Sequence, residues 1–205
     1  MVTVPSSKYT KYAFIGVDAT LDLGPKRILN FVGHLDNSKM AKLEQMQWMA
    51  EKQMKVNASV WFGHYPSSSI VSAAPGLRSV ASKAVAYLCG HFHSFYGVVP
   101  QMYTKHHSGL MELELADWKM SRMYRVAVLD QGLFSFSDVV FDSWPVVVVS
   151  NPKAAFLLSH EPFDSTHIRL FIFSPSTITQ CQVNACWTKS VLNMDAFKSE
   201  LIYSC

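Results

Sequence analysis

The chain has 205 residues, 49% of them hydrophobic and 16% charged, with a formal net charge of +3. That is enough apolar chain for one full domain, or for one domain and part of a second. The basic residues are scattered, from Lys8, Lys11, Lys26 and Arg27 through Lys39 and Lys42 onward, which argues against a dedicated nucleic-acid or membrane-surface protein. The longest apolar run near the middle, Pro145 to Val149, falls far short of the ~20 residues that span a bilayer. The opening MVTVPSSKYTKY lacks the apolar core and cleavage site of a signal peptide. Four cysteines at these spacings match no zinc ribbon and are too few for a disulfide scaffold. As written, the chain is expected to be soluble and untargeted.

Tyr12 to Val17 is a short apolar run followed by Asp18 and the breaker Gly24-Pro25, so a strand and a turn are expected. Ile28 to Val32 reads as a second strand or an ordered loop. Ser38 is placed to cap a helix over Lys39 to Lys55, in which Met40, Leu43, Gln47 and Ala50 approximate a helical stripe. Met46, Met49 and Met54 near that stripe read as core packing, because Met fills irregular gaps. Ala58 to Phe62 is a strand ending at Gly63-His64-Tyr65-Pro66. Pro75 sits where a first helical turn would start, and Leu77 to Ala84 is a short helix. Val85 to Cys89 is another strand, ending at Gly90-His91-Phe92-His93. Strand, helix, strand, helix, strand is the pattern of a parallel sheet covered on both faces, and the fold class is therefore read as α/β.

The pattern then changes. Gly109 to Leu115, Tyr124 to Leu129 and Leu133 to Phe141 alternate apolar and polar residues, as antiparallel strands do. On that reading the acidic residues Glu112, Glu114 and Asp117 form the wet face of a strand, and His106-His107 lies in a solvated turn. After Ser143-Trp144-Pro145 come Val146 to Val149, Ile168 to Phe173 and Thr177 to Trp187, read as the opening strands of a β-sandwich. A complete sandwich needs ~100 residues, so residues 1–143 are expected to form one domain and 144–205 the beginning of another. His160 and His167 fall in a linker and need no function.

Both histidine motifs directly follow an expected strand, where parallel sheets present their functional loops. Glycine lets the chain leave a strand sharply and lets a ligand approach the backbone. In an extended segment, side chains two apart share a face at roughly 7 Å. His91 and His93 would therefore serve one metal only if the backbone bends, or flank two metals about 3.5–4 Å apart if it does not. A chance Gly-His-x-His in a chain of this length is expected on the order of once in a hundred, and a second strand-terminated Gly-His upstream lowers that further. The pair points to descent from a metal site.

Gly63-His64 followed by Gly90-His91-Phe92-His93, with a helix between them and antiparallel strands after them, resembles the last two metal motifs of the calcineurin-like metallophosphoesterases. More narrowly, IGVDAT, WFGHYP, AYLCGHFH, ELELADWK, YRVAVLDQGLFSFSD and WPVVVVSNPK resemble the transmembrane protein 62 family. Its members join a phosphoesterase domain to an immunoglobulin-like sandwich and then to membrane spans. The resemblance implies that residues 1–143 are the C-terminal half of a metallophosphoesterase-like domain and 144–205 the start of the immunoglobulin-like one. It makes His64 and His91 ligands of one metal and His93 a ligand of the other. Divalent zinc, iron or manganese would be the cofactor, with a phosphoester as substrate and strand-end carbonyls or Asp18 orienting the rings. No nucleic acid is implied, and membrane contact would come through segments C-terminal to this chain, with this region outside the bilayer.

The family's first three motifs, which supply an Asp with a His, a bridging Asp, and an Asn with a His, have no match in the sequence. Gly33-His34-Leu35-Asp36 reads as a surface histidine and Asp18 as a turn or cap residue. The chain is thus expected to be a fragment, an alternative product or an incomplete gene model, inactive by itself for want of those ligands. The alternative is a non-catalytic recognition or scaffolding module of a membrane protein.

Overall fold

The computed structural model describes residues 2–7, 10–21, 30–95, 97–99, 102–154, 157, 167–185 and 201–204. The chain divides into two compact units, Met1–Tyr124 and Arg125–Cys205.

The first unit is α/β. Its strands are β1 (Val2–Ser7), β2 (Thr10–Val17), β3 (Gly33–Leu35), β4 (Ala58–Gly63), β5 (Ile70–Ser72), β6 (Ala86–Cys89), β7 (Tyr103–Lys105) and β8 (Met111–Glu114). Six of them form one sheet in the order β1-β2-β4-β6-β8-β7. The inner strands β2, β4, β6 and β8 run parallel, while β1 and β7 close the two edges antiparallel. All four parallel strands therefore end on one edge of the sheet, which is where Asp18, His64, Gly90 and Leu115 emerge. The pair β3 and β5 forms a separate parallel ladder.

Inner parallel strands are covered on both faces, so they carry apolar residues in succession rather than in alternation. β4 shows this: Ala58, Ser59, Val60 and Trp61 are all buried. The helix α1 (Asn37–Trp48) buries Met40, Leu43 and Gln47, the stripe read from the sequence. A turn of π-helix at Met49–Gln53 then brings in Ala50. Trp61 Nε1 donates to Gln47 Oε1 at 3.2 Å, fastening the helix to the middle of the sheet. The second helix, α2 (Leu77–Val80), continues as a 3-10 turn at Ala81–Lys83. The core holds Ile15, Leu35, Met40, Leu43, Trp61 and Tyr87, among others.

Several expectations need correction. The helix cap is Asp36, whose Oδ1 accepts from the Lys39 amide at 2.7 Å; Ser38 already lies inside the helix. Pro75 stands one residue before the N-cap of α2, which is Gly76. β1, β3 and β5 lack the apolar periodicity that would have announced them. Of Ile28 to Val32, residues 28–29 lie outside the described residues and 30–32 are not strand. The largest correction is β8: it is no half-wet antiparallel strand but an inner one, paired parallel to β6 on one side and antiparallel to β7 on the other. Glu112 and Glu114 are only 6% and 4% exposed. Asp117 lies beyond the strand, in a turn where it accepts from the Met120 amide and the Ser121 hydroxyl.

Among the described residues, every regular element of the second unit is a strand. β9 (Met123–Asp130) and β10 (Leu133–Val140) form a hairpin across Gln131-Gly132. Both turn residues have positive φ, 50° and 86°, as a two-residue turn matched to strand twist requires. β11 (Val146–Asn151) pairs antiparallel with β12 (Arg169–Phe173), and β13 (Gln182–Ala185) with β14 (Leu201–Ser204). Of the expected strand Thr177 to Trp187, residues 177–181 are not strand and 186–187 lie outside the described residues. His160 lies outside them as well, while His167 holds Arg169 at 2.8 Å. Half-buried ion pairs tie these strands together. Arg125 grips Asp138 through Nε and NH2 at 2.6 and 2.7 Å and lies over the Phe136 ring. Asp130 accepts from Arg169 Nε and from Ser150 Oγ, both at 2.6 Å.

Candidate metal centre

Two loops leaving neighbouring parallel strands bring histidines together. The first follows β4. Gly63 is required there by space: a Cβ would stand 2.8 Å from the Tyr87 hydroxyl and 3.0 Å from the Val17 carbonyl oxygen. The Tyr87 hydroxyl donates to the Tyr65 carbonyl at 2.6 Å, holding the loop one residue past His64. Burial, reinforced by Cys89 and Glu112, pushes that phenol well above its ordinary range, so it remains a donor at any physiological pH.

The second loop follows β6. Gly90 sits in ordinary contact, with 3.7 Å to the nearest atom a Cβ would meet, and its amide donates to the His64 carbonyl at 3.0 Å. The left-handed backbone that the sequence would assign to glycine falls on the histidines instead: φ is 101° at His91 and 55° at His93. Such conformations cost about 1–3 kcal/mol at a non-glycine residue and persist where the surroundings hold them, most often at functional sites.

His64 Nε2 lies 3.0 Å from His91 Nδ1, with the rings nearly perpendicular at 79°. The Tyr65 ring packs 4.8 Å from both imidazoles, and Phe92 covers His91 at 4.7 Å. A tetrahedral zinc bound to both nitrogens at about 2.1 Å would hold them about 3.4 Å apart. The observed 3.0 Å is the length of a direct imidazole–imidazole hydrogen bond, and an ion would enter with the rings parting by about 0.4 Å. His91 Nε2 is buried and has no hydrogen-bond partner among the described residues. Burial lowers the affinity of both rings for a proton, helped at His64 by His93, and at His91 by His64 and His93 against a weaker pull from the Phe31 backbone. Both are therefore neutral near pH 7, the form that ligates metals.

His93 is arranged differently. Its Nδ1 lies 3.0 Å from the Leu115 carbonyl oxygen, at the end of β8, which fixes that nitrogen as the N–H and leaves Nε2 with the lone pair. A strand-end carbonyl thus orients this ring, whereas Asp18 accepts from the Thr20 amide and hydroxyl within its own turn. His34 is exposed. The structure brings His64 and His91 into contact and sets His93 beside them. Among the described residues, no group of three His, Cys, Asp or Glu converges on one point. The donors present fit one side of a metal site, as imidazole ligands, and do not by themselves complete it.

The sequence missed the carboxylates beneath these loops. Glu112 Oε1 accepts from the Ser67 amide at 2.8 Å, and its Oε2 accepts from the Ser67 hydroxyl and lies 2.7 Å from His106 Nε2. His106 is therefore a half-buried partner of a buried acid and no solvated turn residue; His107 beside it is exposed. Glu114 accepts from the His93 amide at 2.6 Å, with the Phe92 backbone bonding it too, and burial pushes its carboxyl above the usual range against those bonds. The signal was available in part. An alternating strand keeps a wet face only where one side of its sheet is open, and β8 follows three strands that read as parallel.

No family model matches the chain. It is 46% identical over 186 residues to transmembrane protein 62 of Mus musculus, a match that covers 88% of this chain and 28% of that protein. It is 27% identical over 204 residues to an Arabidopsis thaliana protein provisionally named a metallophosphoesterase, covering 80% of this chain and 26% of that one. The chain thus spans little more than a quarter of either relative. No helix among the described residues is long and apolar enough to cross a membrane. Over the segment it covers, the chain belongs to the transmembrane protein 62 family, related to the calcineurin-like metallophosphoesterases.

Proposed function

We propose that this chain carries the histidine side of a divalent-metal phosphoesterase centre, in which His64 and His91 hold one ion and His93 a second. The observation that carries the reading is the 3.0 Å approach of His64 Nε2 to His91 Nδ1 at the ends of adjacent parallel strands. Bound there, a zinc, iron or manganese pair would polarise a phosphoester and lower the pKa of a bridging water. The chain's own contribution is to present neutral imidazoles, to fix the tautomer of His93 through Leu115, and to wall the pair with Tyr65 and Phe92. The family's bridging carboxylates have no counterpart in these 205 residues, so hydrolysis requires them from elsewhere in the protein. In this reading residues 1–143 are the C-terminal half of the phosphoesterase domain and 144–205 open an immunoglobulin-like domain. The protein to which they belong is integral to a membrane, with this region outside the bilayer.

The second reading is a non-catalytic module of a membrane protein, and the lack of a converging third donor among the described residues favours it. Plasma mass spectrometry of the purified chain separates the two, with His91→Ala/His93→Ala as the control. About one transition metal per chain, absent from the double variant, supports the centre, and hydrolysis of an aryl phosphodiester by the longer protein would then extend it to an enzyme. Metal content indifferent to the two substitutions would leave the module.

A further inference from the structure

β8 presents Glu112 and Glu114 two residues apart, hence on one face of the sheet. The register confirms the shared face, since Glu112 stands beside Tyr87 and Glu114 beside Cys89 on β6. Each carboxylate reaches a different histidine loop. Glu112 takes the Ser67 amide and hydroxyl, three residues past His64, and Arg78 Nε donates to that same hydroxyl at 2.8 Å. Glu114 takes the His93 amide at 2.6 Å. Between the loops run the bond from the Gly90 amide to the His64 carbonyl and the bond from the Tyr87 hydroxyl to the Tyr65 carbonyl.

Burying a carboxylate is costly unless hydrogen bonds repay the lost solvation, and a charged acceptor makes bonds about twice as strong as a neutral one. Two such groups under two loops exceed what packing of β8 needs, because an apolar pair would fill the same space without desolvating charge. They are matched instead to the histidine loops: Glu112 holds the loop that carries His64, and Glu114 holds the amide of His93, whose left-handed backbone, like that of His91, must be kept against its own strain. We propose that Glu112 and Glu114 are positioning residues: one carboxylate per loop, projecting from a single strand, sets the spacing of His64, His91 and His93 before any metal arrives. This rests on the proposed metal centre, toward which the three rings are held. Neither glutamate is a ligand; each acts through a backbone amide.

The test uses the full chain with Glu112→Gln and Glu114→Gln, which keep the side-chain shape and one acceptor oxygen. Two quantities are read, zinc affinity by competition with a chromophoric chelator and amide hydrogen exchange by NMR. Loss of an outer-shell partner typically weakens metal binding 10–100-fold, and that drop is expected in each variant. Exchange should quicken roughly tenfold at the His93 amide in Glu114→Gln and at the Ser67 amide in Glu112→Gln, while β4 and β6 stay protected. A merely structural role would instead quicken exchange across the sheet and leave the zinc affinity of the folded fraction unchanged; that result overturns the proposal. If the unsubstituted chain binds no zinc, the metal centre itself fails, and exchange alone decides. Quickening confined to the two loop amides then supports the positioning role, and uniform or absent change refutes it.

Discussion

The two units bury acid side chains in opposite ways. In the second unit two half-buried aspartates each meet a guanidinium: Asp138 is gripped by Arg125, and Asp130 by Arg169 together with the Ser150 hydroxyl. Those pairs bridge strands, neutralise charge where it arises, and stabilise an all-strand unit. In the first unit Glu112 and Glu114 are bonded largely by loop amides, a hydroxyl and an imidazole. There the charge fixes the course of two loops, one carrying His64 and the other the strained His91 and His93. Burying an acid against arginine serves strand assembly, whereas burying one against backbone amides serves the geometry of what the backbone carries.

Substitutions can break that contrast, beginning with the ion pairs. Arg125→Ala would remove both guanidinium bonds from Asp138, whose side chain is 12% exposed, and breaking such a pair typically costs about 3–5 kcal/mol. Chemical denaturation followed by strand circular dichroism should register about that loss, and a loss below about 1 kcal/mol would remove the pair from the account. Next in size is Gly63→Ala, where the added Cβ meets a hydroxyl and a backbone oxygen that cannot yield cheaply. We expect about 1–3 kcal/mol of destabilisation, against no more than about 0.5 kcal/mol for Gly90→Ala, which has room. Equal costs at the two glycines would mean that the loops are held by something other than this close approach.

Acid should expose the Asp130 network. Burial alone would push that carboxyl up, but the Ser150 hydroxyl and Arg169 guanidinium outweigh it and leave the group below its ordinary 3.8. A lowered acid binds its proton more weakly when folded, so its stabilisation is fully present above pH 3.8 and is lost as pH falls through the lowered value. Asp130→Asn should therefore cost roughly 1.5 kcal/mol at pH 7, and the difference from the parent should vanish in strong acid. A difference constant across the acid range would show that the charge contributes nothing. The smallest effect is at the helix cap: Asp36→Ala should cost about 1 kcal/mol, and Ser38→Ala within about 0.5 kcal/mol of nothing. Thermal melts that reversed this order would contradict the observed cap.

Those last residues also mark where sequence reasoning holds and where it stops. The apolar strands β2, β4 and β6 and the α1 stripe were legible, because burial on both faces and helical periodicity each leave a pattern in residue order. The histidine motifs were legible because glycine breaks mark strand ends. Choosing Asp36 over Ser38 was not, since both are good caps and only the backbone decides. Glu112, Glu114 and His106 escaped for a deeper reason. Alternation reports that one face differs from the other, and only the tertiary arrangement says whether the polar face meets water or the loops of neighbouring strands.

The central claim is that His64 and His91 share one ion. X-ray absorption at the zinc edge of the zinc-loaded chain, compared with His64→Ala and His91→Ala, tests it most directly. The account predicts a nitrogen shell near about 2.0–2.1 Å with the outer scattering of imidazole rings, weakened by one ring in each variant. Zinc spectra unchanged by either substitution, or lacking imidazole scattering in the parent, would contradict it.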